Sequence, residues 1–200
     1  MMPLVAAGLP LTPTAIAAVI ALIVLAAIVL YGRLASLATR SEHAWVGIDG
    51  ALRRRHELAL ELAETVKGLA ETVKGPLDDV ATVEAVERAI LTARNSRGPL
   101  SSAAAESGLT AALKGLFAHA ERCVGLDGSD RFLQLQRQLS TVEDAIVDTA
   151  TTFNDTVRGL NATVVTFPWN VLAGWGGFRP RDRFDLSADA TRSLPRITLD

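Results

Sequence analysis

The sequence predicts an all-α protein. An N-terminal transmembrane helix is followed by an antiparallel up-and-down helical bundle with long first and last helices. Three observations carry this reading. No charged side chain precedes Arg33, and Ala15 to Tyr31 is an unbroken apolar run. Beyond Arg33, apolar residues recur every three or four positions, the period of an amphipathic helix. No segment alternates with period two, and aromatics make up only 5% of the chain, which argues against strands.

The first element is the membrane segment. The run from Ala15 to Tyr31 is 17 residues, and extending it back to Leu11 gives 21. About 20 are needed to cross ~30 Å of hydrocarbon. Ten of the sixteen residues from Ala15 to Leu30 are Ile, Leu or Val. Each favours insertion by roughly 0.3–0.6 kcal/mol at a helix centre. Pro10 and Pro13 sit at the start, where a missing N–H costs least. Tyr31 and Gly32 mark the exit. A signal peptide would carry a positive n-region, and this one has no Lys or Arg. Arg33 and Arg40 flank the run on its C-terminal side only, with Arg53, Arg54 and Arg55 further on. That asymmetry predicts the N-terminus outside the cell membrane and the bundle in the cytoplasm. The expected organisation is an anchor over 1–32, with its span at about 11–31. A bundle over 33–184 and a polar tail over 185–200 follow.

The bundle is read helix by helix. Trp45, Ile48, Leu52, Ala59, Leu62, Val66, Leu69 and Val73 form one seam along a first helix over about 33–74, interrupted by Arg55. The heptad LAETVKG occurs twice, over 62–68 and 69–75. It adds about two turns and keeps the apolar face in phase. Gly75-Pro76 is a stop signal. Asp78 and Asp79 suit the first turn of a second helix, with Val80, Val83, Val86 and Ile90 as its stripe to about Asn95. Ser96–Gly108, with its Gly, Pro and serines, reads as a loop. A third helix is expected from about Leu109 to Val124, with Leu113, Leu116, Phe117 and Ala120 inward. Gly125–Ser129 is a turn. Phe132, Leu135, Leu139, Val142, Ile146, Phe153, Val157, Leu160 and Val164 then mark a fourth helix over about 130–165, ended by Phe167-Pro168.

The search for chemistry returns little. With 20 Lys+Arg against 22 Asp+Glu, the chain lacks the basic excess of a nucleic-acid binder. Its one cysteine, Cys123, forms no intrachain disulfide and reads as a small core residue. His43, His56 and His119 have no metal-ligand spacing and read as solvated histidines. Glu57, Glu61, Glu64 and Glu71 read as a charged face with Lys67. Gly174–Phe178 is glycine-rich but follows no strand, unlike a phosphate loop. The Asn154-Asp-Thr and Asn161-Ala-Thr triplets match glycosylation sequons but fall inside a predicted helix. No catalytic, cofactor-binding or metal-binding residue is predicted.

Two features invite sharper expectations. Asp49 is placed to pair with Arg53, and Arg53 with Glu57. Arg54 stands beside them. Arg55 falls on the apolar seam and needs a partner, Glu143 or Asp144 of the fourth helix. Such a buried pair would specify register more than add stability. An exposed arginine ridge docking an acidic partner or lipid headgroup is the alternative. The second feature is the aromatic tail. Five of the ten aromatics lie between Phe167 and Phe184. An up-and-down bundle returns this segment to the membrane. Trp169, Trp175 and Phe178 are then candidates for the interface, with Arg179, Arg181 and Arg183 on anionic headgroups. The competing expectation is that these aromatics cap the bundle end.

Several blocks together resemble the LemA family of bacterial membrane-anchored proteins. They are AWVGIDGALRRRHELALELAETVKG (Ala44–Gly68), Ala93-Arg94, FLQLQRQLSTVEDAI (Phe132–Ile146), FNDTVRGLNATVVTFPWNVLAGWGGF (Phe153–Phe178), and Phe184. The ordered set is specific, although no single block is. The late asparagines Asn154 and Asn161 belong to it, as candidate structural or partner contacts. Residues 58–62 read LALEL where the family usually has a proline and an asparagine. Phe153 and Leu160 stand where tyrosines are usual. The resemblance implies an anchored helical bundle with no established enzymatic activity. The expected function is a non-enzymatic interaction or scaffold module at the cell membrane. Its expected partners are the lipid bilayer, an unidentified protein and a second copy of the chain, without nucleic acid. A membrane-shaping or envelope-assembly scaffold that binds lipid through the aromatic tail is the alternative.

Overall fold

The computed structural model describes residues 13–73, 78–120 and 130–186, with side chains of 69–73 and 78–80 left aside. Five helices follow in order: α1 (Pro13–Val73), α2 (Asp78–Asn95), α3 (Pro99–Ala120), α4 (Asp130–Val165) and α5 (Trp169–Gly176). No strand occurs among the described residues. The expected stop at Gly75-Pro76, the turn at Gly125–Ser129, Cys123 and the tail from Ser187 onward lie outside them.

The anchor and the first bundle helix are one element. α1 runs 61 residues without a break, about 92 Å at 1.5 Å per residue. Gly32 does not interrupt it. A lone glycine costs a helix only about 1 kcal/mol, and the sequence on both sides favours helix. From Ile16 to Val29 the large apolar side chains are exposed, Leu22 by 69%. This part of α1 is long and apolar enough to cross a membrane.

The seam beyond Arg33 builds three core layers. Leu34 and Ala38 of α1 meet Leu160 and Val164 of α4 and Ala173 of α5. Ile48 and Leu52 meet Ala103 of α3 and Ile146, Phe153 and Val157 of α4. Leu58, Leu62 and Val66 meet Val83, Val86 and Ile90 of α2, Leu109 to Phe117 of α3, and Phe132 to Leu139 of α4. These pairings fix the directions. α3 runs with α1, whereas α2 and α4 run against it. α4 therefore ends beside the apolar part of α1. The α2–α3 hairpin reaches only to the middle layer.

One expected boundary is wrong. Ser96–Gly108 is not a loop, because α3 begins at Pro99. Proline is well tolerated at the first helical position, where no N–H partner is needed. Gly98 takes φ 83° just before it, a conformation easy for glycine. Ser101 then closes the turn, donating to the Arg97 carbonyl at 2.5 Å and accepting from its N–H at 3.0 Å. The serines hold the start of a helix and do not prevent one.

Candidate functional site

The earlier start of α3 brings an unexpected carboxylate against the seam of α1. Glu106 is 1% exposed and Arg55 3%. Arg55 Nη1 donates to Glu106 Oε2 at 2.6 Å. Its Nη2 donates to Thr110 Oγ1 at 2.7 Å and to Glu143 Oε1 at 3.3 Å. The other oxygen of Glu106 lies 2.5 Å from His56 Nε2. One guanidinium thus ties α1 to α3 and α4 between two apolar layers. Of the two partners expected for Arg55, Glu143 is in contact; Asp144 is exposed. Arg55 Nε and His56 Nδ1 have no hydrogen-bond partner.

The histidines depart from expectation. Only His43 is exposed. His56 is 4% and His119 6% exposed. His56 lies one residue from the apolar seam and follows Glu106 inward. The arginine ridge is also rearranged. Arg53 pairs with Asp49 at 2.8 Å, as expected, but it is Arg54 that reaches Glu57, at 3.0 Å. Both pairs are exposed, and such pairs contribute little stability. Among the described residues no group of three or more His, Cys, Asp or Glu is placed to hold a metal ion.

The second assembly lies at the end of the bundle next to the apolar run of α1. α5 packs on α1 and α4 beside the last turn of the apolar run. Phe178 meets Tyr31 edge-to-face, with ring centroids 5.6 Å apart. A Cβ on Gly176 would come within 2.7 Å of the Phe178 ring and 3.0 Å of Tyr31. The close stack therefore needs glycine there. Trp169 and Phe178 are half-buried in the proximal core, so they act mainly as caps. Outward stand Phe167 (79% exposed) and Trp175 (88%), with Val165 and Val171 beside them.

After Phe178 the chain runs back along the bundle as an extended strap. Asn161 accepts from the Arg181 N–H and donates to its carbonyl, both at 2.8 Å. Asn154 makes the same pair of bonds to Phe184, both at 2.9 Å. The spacing explains the match. Seven residues of helix rise about 10.5 Å, and three residues of extended chain cover about 10 Å. Phe184 is fully buried against Trp45 and Phe153. Two arginines expected on headgroups have partners within the chain. The Arg181 guanidinium donates to Ser41 Oγ at 2.7 Å and Glu42 at 2.6 Å. Arg183 pairs with Asp185 at 3.1 Å. The strap carries both along the bundle, away from the apolar part of α1. Arg179 remains exposed.

The LemA family model matches residues 44–199. The chain belongs to the LemA family. In this LemA chain the match begins at Ala44, within the middle layer of α1, and covers the charge network, α4, α5 and the strap. The asparagine-held strap and the Arg55 network therefore both lie within the LemA-matched region. Comparison with curated proteins gives no match.

Proposed function

We propose that this LemA-family chain is a non-enzymatic interaction module tethered to the cell membrane by the first part of α1. The observation that supports this most is the continuity of α1. The exposed apolar stretch passes into the main bundle helix without a hinge, so a span in the bilayer would set the bearing of the whole bundle. The bundle interior is filled by three apolar layers and one ion network, an arrangement suited to a rigid display surface. Its outer faces expose Val46, Leu91 and Leu100, apolar residues available to a protein partner or a second copy. The Lys/Arg bias favours the bundle in the cytoplasm.

The tether is tested by Leu22→Arg/Leu25→Arg in the full chain. Each arginine costs insertion roughly 2.5–3.5 kcal/mol at the helix centre. The wild type should resist alkaline extraction from membranes, and the double variant should be released. Release of both proteins alike would contradict the tether. A scaffold that also engages lipid through its C-terminal aromatic segment is favoured by the exposure of Phe167 and Trp175, in the segment whose Phe178 meets Tyr31.

A further inference from the structure

A cleft of about 290 Å³ opens between α1, α4 and α5, lined by Arg33, Ser36, Leu37, Arg40, Thr163 and Trp169. We propose that it binds the phosphate of an anionic phospholipid from the adjoining leaflet. This inference rests on the membrane tether and adds a defined lipid site to it.

Position is the first argument. Arg33 is the first charge after the apolar run, and Ser36 and Leu37 lie about 8–9 Å beyond Tyr31 along the helix axis. Headgroup layers extend about 5–8 Å past the hydrocarbon on each side. The cleft thus runs from within the headgroup layer at Arg33, about 3 Å beyond Tyr31, to its outer edge at Ser36 and Leu37. Arg40 lies further out, but Cβ atoms lean toward a helix N-terminus, which tilts its side chain back toward the bilayer.

Charge is the second argument. Arg33 and Arg40 are seven residues apart on one face of α1, and both are exposed. Among the described residues, neither has a carboxylate partner. The nearest acid in sequence, Glu42, is held by Arg181 at 2.6 Å. Two unpaired guanidiniums facing one cleft suit a phosphate, which each can grip through parallel N–H bonds. Ser36 adds a hydroxyl, and the Trp169 indole supplies an amphipathic wall of the kind found at lipid interfaces. The exposed Trp175 on the neighbouring α5, and Phe167 just before that helix, continue the lipid-facing surface. Arg181 and Arg183, engaged by the strap, take no part.

The test is native mass spectrometry of the full chain from detergent micelles, titrated with phosphatidylglycerol or phosphatidylcholine. The wild type should retain one phosphatidylglycerol at least about tenfold more tightly than phosphatidylcholine. Arg33→Ala/Arg40→Ala should weaken phosphatidylglycerol about 30-fold, as expected for two arginines near a headgroup layer. Arg33→Lys/Arg40→Lys should keep most of the preference. Arg88→Ala/Arg94→Ala, the same charge change far from the cleft, should leave binding unchanged. Equal retention of the two lipids, or an unaffected Arg33/Arg40 double alanine variant, overturns the site. Displacement of the lipid by millimolar inorganic phosphate would assign the cleft to a free oxyanion and overturn the lipid assignment. Alkaline extraction of the same proteins separates the two ideas. A chain that stays in the membrane yet ignores lipid charge defeats only the cleft, whereas a chain that is extracted defeats the tether.

Discussion

Arg55→Met should destabilise the bundle by about 3–5 kcal/mol, the usual cost of stranding one member of a buried ion pair. Glu106 would lose its guanidinium while remaining almost fully buried. Glu143 has its side chain 15% exposed, so it can turn toward water and suffers less. The asymmetry makes a second expectation. Arg55→Met/Glu106→Leu removes both charges and replaces them with apolar volume. It should recover at least half of the loss, limited by His56, which then has no partner at Nε2 either. Urea titration of the full chain in mild detergent reads this from the midpoints, provided the slope is unchanged. A single variant within about 1 kcal/mol of wild type, below the cost of one stranded buried group, would mean that the network does not lock α1 to α3 and α4.

Phe184→Ala should release the strap. Emptying a fully buried phenylalanine site costs about 3–5 kcal/mol, and the Trp45 ring contact at 5.8 Å is lost with it. The effect should be local, because Phe184 lies at the edge of the middle layer while α1 and α4 pack over their length without it. Trypsin should then cut faster after Arg181 and Arg183, with helix content nearly retained. Asn154→Ala removes two bonds to the Phe184 backbone, and at about 1–3 kcal/mol for groups left unpaired should act in the same direction but more weakly. Unchanged cleavage in both variants would show that the strap is held elsewhere.

Much of this fold was legible in the sequence because its signals are local. The bounds of α2 and α4 follow from Asp78, Asn95, Asp130 and Phe167-Pro168, and the seam of α4 is buried nearly position for position. The start of α3 is masked in the sequence because Gly98, Pro99 and the serines have the composition of a loop. The stripe Ser102, Glu106, Leu109, Leu113 already steps by three and four, and would have extended the helix backward. That one boundary hid the site's central carboxylate. With Glu106 placed in a loop, His56 had no reason to be buried and Arg55 only Glu143 or Asp144 to meet. The bonds of Asn154 and Asn161 were beyond reach for a different reason. An amide on a helix carries no local sign that a strap some 20 or 30 residues later will lie against it. The same strap gives Arg181 and Arg183 partners within the chain, which charge and aromatic content alone do not reveal.

The most direct measurement is a spin-label accessibility scan along α1, from Ile16 to Ile48, in the full chain reconstituted into vesicles with Cys123 replaced by alanine. A span continuous with the bundle helix predicts high oxygen and low water-soluble relaxant accessibility from Ile16 to Leu30. Beyond Arg33 the pattern should become one-sided with the helical period, protected at Leu34, Ala38 and Ile48, and without a phase break across Tyr31–Arg33. Water accessibility throughout Ile16–Leu30, or a lost phase at Gly32, would contradict a rigid bundle carried on one membrane helix.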